Sequence, residues 1–166
     1  VLLFIRTKHS ARKITREIRE MGHRVSEIHS DKSLGQRREA LEGFKSGRYR
    51  ILVATDIAAR GIDVTRIELV INYDLPEDVE NYVHRIGRTG RAGCKGRAIS
   101  FATPDQRNDV KNIEQLIRKQ LPVLKHPGMQ MEEFDQPQKV AQFRPQRRGG
   151  FGVSRHKPKY GRFSRR

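Results

Sequence analysis

Cysteine is almost absent from this chain of 166 residues, which has Cys94 alone. A single cysteine excludes an internal disulfide and favours a reducing, cytoplasmic setting. The six histidines lie apart from one another and from Cys94, so no metal site is expected. No apolar run approaches the length of a membrane span, and the start has no signal-peptide pattern. Because Val1–Ile5 has the pattern of a buried strand without a lead-in, we expect residue 1 to be a cut within a longer protein.

Acidic residues are absent after Asp135. The chain has 35 basic and 19 acidic residues, a net charge of +16, and ten of the basic ones lie in 136–166. Such an excess predicts a polyanionic partner. No amphipathic apolar face accompanies these charges, so nucleic acid is favoured over an anionic membrane.

Residues 1–125 have the pattern of one α/β domain. Short apolar or β-branched runs alternate with segments of helical period, which predicts a parallel sheet covered by helices on both faces. The predicted strands are Val1–Ile5, Val25–His29, Arg50–Ala54, Leu69–Tyr73 and Ala98–Ala102. The predicted helical core stripes are Ala11, Ile14, Ile18 and Met21, then Ala40, Leu41 and Phe44, then Val110, Ile113, Leu116 and Ile117. Gly22 and Gly47 are placed to end the first two helices.

Residues 126–166 have a different composition, with arginine and glycine interleaved with single aromatic residues. Too few apolar residues remain to offset the entropy of ordering, so this tail is predicted to be disordered when free. Its arginines can neutralise phosphates and its aromatic rings can stack on unpaired bases. The candidate RNA contacts are Arg147, Arg148, Phe151, Tyr160 and Arg162. The alternative is an inert solubilising tail.

The stretch 82–93 places arginines between glycines beside a histidine. Glycine permits close backbone approach to a ligand, and guanidinium groups fit phosphate oxygens. The alternative is a solvated basic turn. A second stretch, 51–64, runs from an apolar strand into Thr55 and Asp63, at the strand end where α/β sheets bind ligands. Thr55 is suited to a phosphate oxygen and Asp63 to a ribose hydroxyl, although both are also common capping residues.

Taken together and in order, these motifs resemble the C-terminal RecA-like domain of DEAD-box RNA helicases. Leu3–Lys8 is similar to the family's fourth motif, 54–63 to its fifth and His84–Arg91 to its sixth. His29–Asp31 with Gln36–Arg38 resembles an RNA-contacting region, and 71–76 is also typical of the family. The resemblance covers roughly the first 120 residues. With its basic tail, the chain looks most similar to the bacterial RhlE-like group.

The resemblance implies roles for particular residues. Arg88 and Arg91 would be arginine fingers that stabilise charge on the ATP phosphates during phosphoryl transfer. Gly61 and Asp63 would contact the nucleotide. His84 and Arg60 would couple this domain to its partner domain. His84 is also assigned to the catalytic residues. Another set would hold the sugar-phosphate backbone of RNA without regard to sequence, namely Thr7, Arg37 and Thr55.

Two residues depart from the family pattern. Ser30 stands where the family often has the glycine of a His-Gly-Asp turn, which weakens any role for close backbone approach there. Leu34 replaces a glutamine and has no side-chain donor, so Arg37 is retained as a candidate and Leu34 is not.

The chain has neither a G-x-x-x-x-G-K-[ST] sequence nor an Asp-Glu-Ala-Asp sequence. The resemblance therefore implies that ATP with Mg2+ binds mainly to an N-terminal RecA-like domain of the same protein, and that this chain alone is inactive. The implied activity is ATP-dependent unwinding of short RNA duplexes, as the two domains close around ATP and single-stranded RNA.

Three functional hypotheses remain open. One is this catalytic half of an RNA helicase, and the second is a non-catalytic module that anchors RNA within a ribonucleoprotein. The third is a DNA-directed helicase of the same superfamily, over which the form of the 84–91 motif favours RNA. The implied partners are RNA and a ribonucleoprotein of ribosome assembly or of RNA decay.

Overall fold

The computed structural model describes residues 1–59, 64, 67–90, 93 and 95–124, all within one compact unit. The strands are β1 (Leu2–Phe4), β2 (Val25–Ile28), β3 (Ile51–Ala54), β4 (Leu69–Asn72) and β5 (Arg97–Ser100). The helices are α1 (Lys8–Glu20), α2 (Leu34–Lys45), α3 (Asp56–Ala59), α4 (Val79–Ile86) and α5 (Arg107–Ile117), with a 3-10 turn at Pro104–Gln106. Each predicted strand is present, and no end differs by more than two residues. The proposed boundary near residue 125 stays a prediction.

The five strands form one parallel sheet in the order β2-β3-β1-β4-β5. A parallel connection requires a crossover, and every connection between these strands includes a helix. The carboxyl ends of all five strands consequently lie along one edge, here called the carboxyl edge. Sites in open α/β sheets form at such an edge.

Alternate residues of the central strands supply the two faces of the core. Leu2 and Phe4 of β1 pack on the side covered by α2 and α3, together with Leu52 and Ala54 of β3. Leu3 and Ile5 pack on the other side, against the α1 stripe of Ala11, Ile14 and Ile18. The short apolar runs are therefore buried on both faces, as parallel strands covered by helices are.

Two residues of the predicted core are exposed. Met21 is 72% exposed because α1 ends at Glu20, and Gly22, with φ of +84°, turns the chain away from the stripe. Leu116 is 47% exposed, whereas Ile113 of the same helix is 1% exposed. The apolar contact of α5 with α4 consists of Val110, Ile113 and Ile117. Gly47 has a φ of +77° after α2, as predicted for a helix-ending glycine.

Candidate nucleotide and RNA interface

Arg85 joins four separate segments of the domain. Its guanidinium donates two hydrogen bonds of 2.6 Å to the Asp56 carboxylate, one from Nε and one from Nη2. Nη1 donates to Asn72 Oδ1 at 3.2 Å and to the Asp74 carbonyl at 2.7 Å, and the guanidinium carbon lies 5.1 Å from the centre of the Phe4 ring. Arg85 is 2% exposed. A buried charge of this kind is stable only with such complete pairing.

Sequence reasoning did not assign Arg85 a function, although it lies in the stretch that was singled out. Asp56 and Asn72 were also missed. A useful signal was present, because β4 ends in an asparagine within an apolar run, and a buried polar side chain needs a partner. Asn72 is 0% exposed, and its amide nitrogen donates to Ser100 Oγ at 3.0 Å.

The loop after α4 carries Arg88. Gly87 caps the helix, and the Arg88 amide donates to the Arg85 carbonyl at 3.1 Å. The Thr89 hydroxyl donates to the Ile67 carbonyl, and the two residues form an isolated parallel bridge. Ile67 follows the predicted nucleotide segment of Gly61 and Asp63 in the chain. The Thr89 hydrogen bond thus joins the loop that carries Arg88 to the part of the chain that follows Gly61 and Asp63.

His84 lies in the last turn of α4 and is exposed. It is available to a partner, as a domain-coupling residue must be. Of the other predicted nucleotide and coupling residues, Arg60, Gly61, Asp63 and Arg91 lie outside the described residues. The five candidate contacts of the tail also lie outside them, namely Arg147, Arg148, Phe151, Tyr160 and Arg162.

The three predicted RNA contacts lie along the carboxyl edge. Thr7 follows β1 and Thr55 follows β3, and these strands are hydrogen-bonded neighbours. Arg37 of α2 reaches the α3 segment, where its Nη2 donates to the Ala58 carbonyl at 3.4 Å. The arrangement offers one guanidinium from α2 and two hydroxyl-bearing residues that follow neighbouring strands. Such groups suit the phosphates and sugars of a nucleic acid strand.

Thr7 also has a structural role that sequence reasoning missed. Its side chain caps α1, because Oγ1 accepts from the Ser10 amide at 3.1 Å and its hydroxyl donates to Ser10 Oγ at 2.9 Å. Thr55 is 9% exposed, and its carbonyl accepts from the Ala59 amide at 2.9 Å. An RNA contact by Thr7 would therefore compete with, or add to, a helix cap.

Asp31 gathers two basic side chains at the same edge. Lys8 Nζ lies 2.9 Å from Asp31 Oδ1, and Arg12 Nη2 lies 2.7 Å from Oδ2. The hydrogen bond from Lys8 is the main cause that lowers the pKa of the Asp31 carboxyl. Ser30 beside it is exposed, and Leu34 is 81% exposed.

His29 holds the loop before Asp31 from inside. It is 0% exposed, and its Nδ1 accepts from the Asp31 amide at 3.3 Å. Burial lowers the pKa of the imidazole, so the neutral form with the proton on Nε2 is favoured. Nε2 lies 3.6 Å from Glu27 Oε2, and neither atom has a hydrogen-bond partner.

Within the described part of the chain, no group of three or more histidine, cysteine, aspartate or glutamate residues could hold a metal ion. No helix in that part has the length and apolarity to cross a bilayer.

Known proteins share this fold and these motifs. Residues 1–93 match the model of the helicase conserved C-terminal domain. The chain is 43% identical over 140 residues to the ATP-dependent RNA helicase DbpA of Bacillus subtilis, an alignment that covers 84% of this chain and 29% of the relative. It is 46% identical over 113 residues to the ATP-dependent RNA helicase DeaD of Buchnera aphidicola, with 68% of this chain and 19% of the relative covered.

Solved structures of DEAD-box proteins share this fold. The E. coli DEAD-box protein SrmB, in a complex with the regulator of ribonuclease activity A, superposes with a TM-score of 0.69 at 34% identity, covering 74% of each chain. A DEAD box protein from Methanococcus jannaschii gives a TM-score of 0.70 at 42% identity, covering 75% of this chain and 34% of that one. The RecA-like fold is therefore confirmed.

The fold and the ordered motifs define a helicase domain of the RecA-like class. The chain belongs to the helicase conserved C-terminal domain family, and specifically to the C-terminal domains of DEAD-box ATP-dependent RNA helicases. It spans less than a third of the length of the curated relatives named above.

Proposed function

We propose that this chain is the C-terminal half of an ATP-dependent RNA helicase that unwinds short RNA duplexes. The observation that carries the proposal is the Arg85–Asp56 ion pair, which joins two candidate sites within one domain. Asp56 follows Thr55 at the RNA edge, and Arg85 precedes the loop that carries Arg88. Family membership supports the same proposal.

In this proposal Arg88 and Arg91 reach the ATP phosphates and stabilise the charge that develops during phosphoryl transfer. Gly61 and Asp63 contact the nucleotide, with Asp63 at the ribose. Thr7, Arg37 and Thr55 hold the RNA backbone, while Arg60 and His84 contact the partner domain. Closure is then a population shift, since ATP and RNA each bind the closed arrangement better than the open one.

An N-terminal RecA-like domain of the same protein completes the site and makes most of the contacts with ATP and its Mg2+. The absence of a phosphate-cradling sequence from this chain supports that division. We further propose membership of the RhlE-like group, a cytoplasmic location, and a role on ribosomal or RNA-decay ribonucleoproteins. The basic segment 136–166 and the single cysteine support these finer assignments.

The test separates a helicase from an RNA anchor. The chain is joined to a matching N-terminal RecA-like half, and strand displacement and RNA affinity are measured for Arg91→Ala. If the protein is a helicase, Arg91→Ala should lose strand displacement and ATP turnover and keep most of its RNA affinity. If it is an RNA anchor, the same variant should lose RNA affinity instead. Arg19→Ala removes the same charge from the exposed end of α1 and should change neither property.

A further inference from the structure

Thr89 lies in the loop that carries Arg88, and Gly96 packs against Thr89. We infer that these two residues position Arg88, and this inference rests on the proposed function of Arg88 as a phosphate ligand. The Thr89 hydroxyl already donates to the Ile67 carbonyl and Gly96 has no side chain, so we expect their effect on the reaction to pass through the geometry of the loop.

Thr89 anchors the loop on the C-terminal side of Arg88. Its amide donates to the Ile86 carbonyl at 3.1 Å, while its hydroxyl donates to the Ile67 carbonyl. On the near side, Arg85 is held by its paired hydrogen bonds to Asp56. The backbone of Arg88 is thereby held between two anchored residues, which restricts where its guanidinium can reach.

Gly96, which directly precedes β5, packs against the same loop. A Cβ on Gly96 would overlap Thr89 Oγ1 and the Gly90 amide nitrogen, and would lie 3.0 Å from Gly90 Cα. Two of these three atoms are backbone, so a side chain could be accommodated only by moving the loop. Gly90 has a φ of +69°, a left-handed conformation that further limits how the turn can rearrange.

Loop geometry of this kind matters most for charge stabilisation in the transition state. A misplacement of about 1 Å in a positioning element can lower turnover by about 100-fold. Ground-state binding of ATP and RNA depends on many other contacts and should change far less. Thr89→Val removes the hydroxyl at constant shape, whereas Thr89→Ser retains it.

The experiment measures RNA-stimulated ATP turnover by the full-length helicase carrying Thr89→Val, Thr89→Ser or Gly96→Ala. We expect Thr89→Val and Gly96→Ala to lower kcat by about 10- to 100-fold with little change in KM for ATP or in RNA affinity. Thr89→Ser should restore most of kcat. Gly35→Ala is the matched control, because a Cβ there meets only Ser33 Oγ at 4.0 Å, and its kcat should stay at the wild-type value.

A double-mutant cycle with Arg88→Ala decides whether Thr89 acts through Arg88. The inference predicts that Thr89→Val causes no further decrease in kcat once Arg88 is absent, and an equal decrease in both backgrounds would overturn it. Wild-type kcat in Thr89→Val, with Arg88→Ala impaired, would also overturn it. If Arg88→Ala itself leaves turnover intact, the proposed function of Arg88 is wrong, and that failure is distinct from the other two.

Discussion

Arg85 and Asp56 lie 29 residues apart in the chain and share two hydrogen bonds of 2.6 Å. Asp56 begins α3 directly after Thr55, while Arg85 lies in the last turn of α4 before Arg88. The ion pair therefore gives a physical connection between the candidate RNA edge and the candidate nucleotide loop. We expect a change at one end to reach the other through this ion pair.

Removing the carboxylate should destabilise the domain. Asp56→Ala leaves the nearly buried guanidinium of Arg85 without its charged partner, and breaking a buried ion pair from one side costs about 3–5 kcal/mol. Urea unfolding measures the decrease in stability. The control is Glu17→Ala, which removes an exposed partner 4.0 Å from Lys13 and should cost less than about 0.5 kcal/mol. Equal unfolding midpoints for the two variants would contradict the assignment.

Mild acid should also destabilise the domain through His29. Its pKa in the folded state is lowered by burial, so the unfolded chain binds more protons between the folded value and the unfolded value of about 6.5. The free energy of unfolding should accordingly fall as pH drops below about 6.5. Chemical unfolding between pH 8 and pH 5 gives the profile. His29→Asn retains an acceptor near the Asp31 amide and lacks the titration, so a fall as steep as that of the wild type would rule out His29 as its source.

Asp31 should moderate RNA binding. Asp31→Asn removes the carboxylate that pairs with Lys8 and Arg12, which leaves both cations available to phosphates. We expect tighter binding of single-stranded RNA at low salt. The logarithmic salt slope should steepen by about 0.7 for each additional phosphate neutralised. Glu42→Gln makes the same charge change in an exposed pair with Lys45, and an equal gain in that variant would reduce the effect to net charge alone.

The basic tail should add salt-dependent affinity. Deleting residues 136–166 removes ten positive charges and no negative ones. If the tail binds phosphates, the shortened chain should bind RNA more weakly, with a slope shallower by about 0.7 for each single-strand phosphate that the tail would have neutralised. Titrations at several salt concentrations give both slopes. Identical slopes would show that the tail does not bind phosphates.

The strands and the carboxyl edge could be predicted because buried parallel strands are short apolar runs, and polar residues follow them. Thr55 was located on that basis, whereas Thr7 was assigned from the resemblance to the family. The ion pair between Arg85 and Asp56 could not be, since its partners are set by which strands become neighbours and no local pattern encodes that choice. The exposure of Met21 has a similar origin, because a helical stripe does not show in which turn the helix ends.

RNA-stimulated ATP turnover tests the central claim most directly. It is measured for this chain alone, for the chain joined to a matching N-terminal RecA-like half, and for the joined protein with Arg91→Ala. The account predicts no turnover alone, turnover when joined, and a decrease of at least about 1,000-fold without the arginine, the usual scale for an arginine finger. Turnover in the joined protein that is unchanged by Arg91→Ala would contradict the split-site account and favour the RNA anchor.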